Sequence, residues 1–285
     1  MSRIAYVNGR YVPHGQATVH IEDRGYQFAD GVYEVCEIHQ SHIIDLEAHL
    51  ERLDRSLREL RMEWPVARGA LPFILREVVR RNGVREGMVY LQVTRGVAPR
   101  DHAFPNDAAS SLVVTAKSVD RRAGATKWAK GAKVVTLRDT RWDRVDIKTV
   151  GLLPNVLARQ TAIDSGAQEA WFTDADGNVL EGASVNAWIV KGGQLITRPA
   201  NHGILKGITR ATVIRVAEQL GYNFVERNFS VSEAQGADEA FNTAATTVVM
   251  PVISIDGATI GDGTPGPVTR ALREAFHTIA ERTAA

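Results

Sequence analysis

Leucines recur along residues 46–60 at Leu46, Leu50, Leu53, Leu57 and Leu60, spacings of four and three that lay one apolar stripe along a helix. Asp45 stands just before the stripe, where a carboxylate can cap a helix N-terminus. A second helix is predicted over 71–81, stopped by Asn82-Gly83. Ahead of these helices the pattern is β. Ile4-Ala5-Tyr6-Val7 and Tyr11-Val12 flank Asn8-Gly9, a pair that tolerates positive φ and suits a two-residue hairpin turn. Runs over 32–39, 43–46, 89–94 and 112–116 read as further strands. Periodicity then fails: residues 118–131 are polar around Arg121-Arg122 and read as an interdomain linker. The second half restarts with strands over 133–137, 169–173, 179–181, 185–190 and 194–197. Helices are predicted over 154–164, 208–221 and 267–282.

Strands and helices mix in both halves without regular βαβ alternation, which predicts an α+β fold of two mixed α/β domains, 1–117 and the larger 132–285. Bulk composition fits this: 285 residues, 44% hydrophobic and 24% charged, is enough chain to bury a core without staples. A formal net charge of +1 gives no electrostatic footprint for nucleic acid or an anionic membrane, so neither is expected as a partner. The single cysteine, Cys36, excludes an intrachain disulfide and a Cys-rich metal site, and it reads as a small buried apolar residue in a strand. The N-terminus lacks the basic-then-apolar order of a signal peptide, and no apolar run approaches the ~20 residues of a membrane helix. A soluble, cytoplasmic protein is the expectation.

Several residues are candidates for chemistry. Lys148 sits in the apolar stretch Ile147-Lys148-Thr149-Val150-Gly151-Leu152-Leu153, where lost hydration favours the neutral amine that condenses with an aldehyde. Glu181 ends the apolar run Val179-Leu180, placed to pair with a protonated ring nitrogen. Gly207-Ile208-Thr209 opens a helix whose free N–H groups and Thr209 hydroxyl can cradle a phosphate. His49 and Arg52, three residues apart, share a helix face. Taken singly, each is outweighed by a bland reading: a snorkelling lysine, a turn-facing acid, an ordinary helix start, two surface polar residues. No phosphate-loop motif, dinucleotide glycine fingerprint or zinc-ligand spacing occurs.

Together and in this order, these residues resemble the D-amino-acid aminotransferase branch of the fold-type IV pyridoxal-phosphate enzymes, along nearly the whole chain. The resemblance is carried by Glu22-Asp23-Arg24-Gly25-Tyr26-Gln27-Phe28-Ala29-Asp30-Gly31-Val32-Tyr33-Glu34-Val35, Val93-Thr94-Arg95-Gly96, Pro99-Arg100-Asp101-His102-Ala103-Phe104-Pro105, Asp146-Ile147-Lys148, Glu181-Gly182 and Leu205-Lys206-Gly207-Ile208-Thr209-Arg210. It implies pyridoxal 5′-phosphate as cofactor, with Lys148 forming the Schiff base and shuttling the α-proton. It implies Glu181 as partner of the pyridine nitrogen, and Arg52, Gly207, Ile208 and Thr209 at the phosphate. His49 and Ser184 would support the cofactor and Leu205 would pack on its ring. Tyr33, Arg100 and His102 match the family's trap for the substrate α-carboxylate, with Arg100 and His102 reaching in from a neighbouring subunit, so a homodimer is implied. Amino acids and 2-oxo acids are the implied substrates.

The chain departs from the pattern at Ala245, where the family usually places a threonine hydroxyl near the phosphate; Thr246 follows it. One lost hydroxyl contact is worth ~1 kcal/mol. Ala183 and Val185 also stand where small hydroxyl residues are common. Alternatives on the same fold are a branched-chain L-amino-acid or (R)-amine transaminase and an aminodeoxychorismate lyase; a cofactor-binding protein without chemistry is the non-enzymatic one.

Overall fold

The computed structural model describes residues 3–201 and 203–285. They fall into two compact units: residues up to Asp120 with Ile147–Gly151 and Glu281–Ala285, and Arg121–Asp146 with Leu152–Ala280.

In the first unit, β1 (Ile4–Val7) and β2 (Arg10–Pro13) form the expected hairpin, with Asn8 and Gly9 at φ 44° and 91° in its turn. Helix α1 (Arg24–Phe28) starts at Asp23, whose Oδ1 accepts the Gly25 N–H at 2.8 Å. There follow β3 (Gly31–His39), β4 (His42–Ile44), α2 (Leu46–Glu59), α3 (Leu71–Arg81), β5 (Gly87–Thr94) and β6 (Ser111–Ser118). The sheet runs Arg282–Ala284, β4, β3, β5, β6, β1, β2, antiparallel at every pairing. Val89, Leu91 and Val93 alternate along β5 onto one face, where they meet Leu50, Leu53 and Leu57 of α2 and Leu75 and Val78 of α3 in one core. Leu53 is fully buried there, so Leu53→Ala would cost ~2–5 kcal/mol.

Two local expectations change. The Asp45 side chain does not cap α2; Asp45 takes φ 52°, and its Oδ1 accepts the Glu281 N–H at 3.0 Å, tying the C-terminal segment to the sheet edge. Lys148 and its neighbours, expected within the second domain, belong to the first unit. β4 pairs only with the Ile38–His39 end of β3, which leaves the start of that edge without backbone partners. Residues 147–150 fill it: the Tyr33 N–H donates to the Lys148 carbonyl at 3.0 Å, the Val150 N–H donates to the Gly31 carbonyl at 3.0 Å, and Val32 bridges Thr149.

The second unit opens with α4 (Arg121–Lys130), a helix where an irregular linker was expected. It continues with β7 (Ala132–Arg138), α5 (Leu153–Asp164), β8 (Glu169–Thr173), β9 (Val179–Gly182), β10 (Asn186–Lys191), β11 (Gln194–Thr197), α6 (Ile208–Gln219), β12 (Asn223–Glu226), α7 (Val231–Gln235), β13 (Glu239–Ala244), β14 (Val248–Ile255), β15 (Ala258–Thr259) and α8 (Pro267–Ile279). The sheet order is β12, β11, β10, β13, β14, β7, β8, β9, with β15 beside β14. It is mixed: β11–β12, β14–β7 and β7–β8 are parallel and the other pairs antiparallel. Both faces of β8 are buried. Trp171 packs with Phe229 and Ile189 on one side, Ala170 and Phe172 with Ala158, Ala162 and Ile204 on the other. The buried indoles are satisfied, Trp171 Nε1 donating to Asn242 Oδ1 (2.7 Å) and Trp188 Nε1 to Thr243 Oγ1 (3.0 Å). Among the described residues, no helix is long and apolar enough to cross a membrane.

Candidate active site

The first unit gathers Tyr33, His49, Arg52 and Lys148 around the start of β3. Lys148 is half-buried, with its Nζ 4.1 Å from the centre of the Tyr33 ring. A cation over that π face is attracted to it, so the ring holds the amine in place without a hydrogen bond. The Tyr33 ring lies 5.7 Å from that of Tyr90, tilted by 32°; the Tyr90 hydroxyl donates to Gln92 at 2.7 Å and is pushed up to about 12 by burial and then by Tyr33.

Strand alternation turns the next residue, Glu34, to the opposite face, beneath α2. There Arg52 grips its carboxylate with two nitrogens, Nε to Oε1 and Nη2 to Oε2, both 2.7 Å. His49 Nδ1 lies 2.7 Å from Oε2, and since a carboxylate only accepts, that nitrogen carries the proton. Burial pushes the Glu34 carboxyl up, but the Arg52 charge and the bonds from Arg52 and His49 outweigh it and hold it at about 2. Cys36, two residues on, is 1% exposed and its thiol is driven up by burial, as expected of an inert core residue.

Arg100 and His102 lie on the exposed loop after β5. Their partner is Phe28: the Arg100 guanidinium is 4.5 Å and the His102 ring 5.4 Å from its ring centre. The loop is tethered by Arg24, whose Nη1 donates to the Asp101 carbonyl at 2.6 Å while its Nε holds Asp30 at 2.9 Å; Arg95 holds the same carboxylate at 2.7 and 3.0 Å. Burial works against Asp30 ionising, but the two arginines prevail and its carboxyl lies below its ordinary value. Among the described residues, no hydrogen bond or ring contact joins Tyr33 to Arg100 or His102.

In the second unit the chemistry centres on Glu181. β9 buries it, and its oxygens accept from Arg141 Nη1 (2.6 Å), Asn186 Nδ2 (3.0 Å) and the Leu205 N–H (3.1 and 3.2 Å). Arg141 is itself gripped by Asp139, Nη2 to Oδ2 at 2.8 Å and Nε to Oδ1 at 3.0 Å. Burial disfavours its charge, yet Asp139 and Glu181 raise it above the ordinary arginine value. The result is a buried carboxylate clamped by a guanidinium, an amide and a backbone N–H, a group that can also accept from a cationic ring nitrogen. Asn186 also donates to the Leu205 carbonyl at 2.9 Å, fixing the turn into α6.

Gly207 caps α6 without a side-chain hydrogen bond, and the first N–H groups of the helix point out of its N-terminal end, the positive end of its dipole. A Cβ at Gly207 would meet Asn186 Oδ1 at 2.1 Å. Thr209 is buried and Ile208 half-buried. Ser184 donates to Glu169 at 2.7 Å, a carboxylate also paired with Arg159 at 3.0 Å. Ala245 is half-buried and Thr246 exposed at the β13–β14 turn, while the buried Thr247 hydroxyl beside them has no hydrogen-bond partner.

Glu34, Asp139, Arg141 and Asn186 were not singled out from the sequence. Glu34 carried a signal, an acid at a core-facing position of an apolar strand. Arg141 carried none, since it lies in an aperiodic loop forty residues from the acid it holds.

The family described as Amino-transferase class IV matches residues 31–255. The D-alanine aminotransferase of Staphylococcus haemolyticus is 38% identical over 277 residues, covering 97% of each chain. Among solved structures, the branched-chain amino acid aminotransferase of Escherichia coli matches with a TM-score of 0.91 at 25% identity, over 98% of this chain and 95% of that one. That of T.th., complexed with N-(5′-phosphopyridoxyl)-L-glutamate, matches with a TM-score of 0.89 at 31% identity, over 97% and 93%.

Proposed function

The chain belongs to the class IV amino-transferase family, and from that membership we propose that it moves the amino group between a D-amino acid, such as D-alanine, and a 2-oxo acid, such as 2-oxoglutarate, with pyridoxal 5′-phosphate as cofactor. The observation that carries the choice of substrate is identity: 38% to a D-alanine aminotransferase across nearly the full length, against 25% and 31% to the two branched-chain enzymes.

The residues suit that cofactor. A half-buried amine, a buried carboxylate paired with Arg141 and a helix start without a side-chain cap answer its aldehyde, its ring nitrogen and its phosphate. When bound, pyridoxal phosphate supplies an electrophilic carbon and a ring that accepts electrons from the substrate Cα. Lys148 would hold it through Nζ and, when freed by substrate, would take the Cα proton and deliver it to the cofactor's C4′ carbon. The Tyr33 ring, under Nζ, holds that amine in place. Glu181 would accept from the ring N–H and so favour the protonated ring. Arg52 binds phosphate as a cation, and Gly207, Ile208 and Thr209 bind it through backbone N–H groups and a hydroxyl, with His49, Leu205 and the turn at Ala245 and Thr246 in support. Ser184 is the weakest member, being engaged with Glu169. Tyr33, Arg100 and His102 receive the substrate carboxylate, the last two offered to a second copy of the chain. The exposed apolar face of α5, with Leu153, Val156 and Leu157, supports such a homodimer. A cytoplasmic location is part of the reading, supported by the free thiol of Cys36.

A branched-chain L-amino-acid transaminase is the second reading, favoured by the TM-score of 0.91. Half-reactions followed by cofactor absorbance decide: D-alanine should convert the aldehyde form far faster than L-leucine, and the reverse order overturns the assignment.

A further inference from the structure

Glu34 is an ionised side chain at 1% exposure in the middle of the first unit's core, a place where an apolar residue would cost folding less. Closing the charge of Arg52 would need a single contact. Arg52 makes two contacts with Glu34, and His49 adds a third to the same carboxylate. The guanidinium lies edge-on to the carboxylate through Nε and Nη2, and the His49 Nδ1–H holds the Oε2 that Nη2 also uses. Because a guanidinium is planar, engaging that edge fixes both its plane and its direction. The His49 bond stops the carboxylate from rotating, so the direction is set from β3 and from α2 at once.

We propose that Glu34, propped by His49, is a positioning residue that aims the Arg52 guanidinium at the cofactor phosphate. This rests on the reading of Arg52 as a phosphate ligand. It changes the role of His49, which then acts through Glu34 and not by touching the cofactor.

The test is a binding cycle on the full-length chain freed of cofactor, titrated with pyridoxal 5′-phosphate and, separately, with pyridoxal, which lacks the phosphate. Glu34→Gln and Arg52→Gln should each weaken pyridoxal 5′-phosphate about tenfold or more, as loss of a hydrogen bond to a charged group does, and pyridoxal less than about twofold. Glu34→Gln added to Arg52→Gln should cost nothing further. If Glu34→Gln does not fold, Glu34→Asp, which keeps the charge but shortens the reach, should show the same phosphate-selective loss at about threefold, a fraction of that bond. Equal weakening of both ligands by the Glu34 variant, or an undiminished loss on top of Arg52→Gln, overturns the proposal and leaves Glu34 a core ion pair. Equal weakening of both ligands by Arg52→Gln instead overturns the phosphate role of Arg52, and the proposal falls with it.

Discussion

The Nζ of Lys148 lies 4.1 Å from the centre of the Tyr33 ring, and the Lys148 carbonyl accepts the Tyr33 backbone N–H at 3.0 Å. The amine is thus located twice by one residue, once through its backbone and once through its side chain. Tyr33 therefore has two separable duties. Tyr33→Phe keeps the ring under Nζ and removes only the hydroxyl, so KM for D-alanine should rise about tenfold, the worth of one hydrogen bond to a charged group. Tyr33→Ala should lower kcat as well, because the amine loses its support. Steady-state kinetics of the two variants separate the duties, and identical profiles would show that they are one.

Arg100 packs on Phe28 and lies exposed on a loop that Arg24 and Arg95 tether. As a carboxylate receptor it should matter only for substrates with a carboxylate. Arg100→Ala should cut kcat/KM for D-alanine about a hundredfold, the ~3 kcal/mol typical of truncating one partner of a charge pair. Transfer from (R)-1-phenylethylamine should change little. A parallel loss on both donors would mean that the loop supports the fold and not the substrate.

Gly207 approaches Asn186 so closely that a methyl group at this position must displace the amide. Asn186 in turn holds Glu181 and the Leu205 carbonyl. Gly207→Ala should therefore destabilise the protein by ~1–3 kcal/mol, an overpacking cost, and weaken pyridoxal-phosphate binding. Thermal melts with and without cofactor measure both; an unchanged melting temperature would mean the turn yields freely.

Local pattern carried much of the fold to the page. The leucine stripe of α2, the Asn8-Gly9 turn and the Asn82-Gly83 stop after α3 need only neighbouring residues, and they form as the spacing predicts. The attachment of Lys148 to β3 is a long-range pairing between residues 33 and 148. Nothing within either segment announces it, so sequence adjacency assigned the lysine to the wrong unit. The site shows the same divide. Lys148 and Glu181 stand in recognisable motifs, whereas Arg141 acquires its role only when the chain brings it to Glu181 from forty residues away.

Acid should weaken the Glu34–Arg52 pair. The folded carboxyl is held at about 2, below its ordinary 4.5, so the pair's stabilisation is complete above about pH 4.5 and is lost as the pH falls towards 2. That shift amounts to about 3 kcal/mol. Gln resembles the protonated acid, so the difference in melting temperature between the native chain and Glu34→Gln should narrow on going from about pH 6 to about pH 3. A constant or widening difference would place the effect elsewhere.

The central claim is that the amine over Tyr33 carries the cofactor. Reducing the loaded protein with borohydride, digesting it and sequencing the pyridoxyl-bearing peptide tests that directly. The account predicts one label, on Lys148. A label on another lysine, or none in a protein that binds pyridoxal phosphate and transaminates, would contradict it.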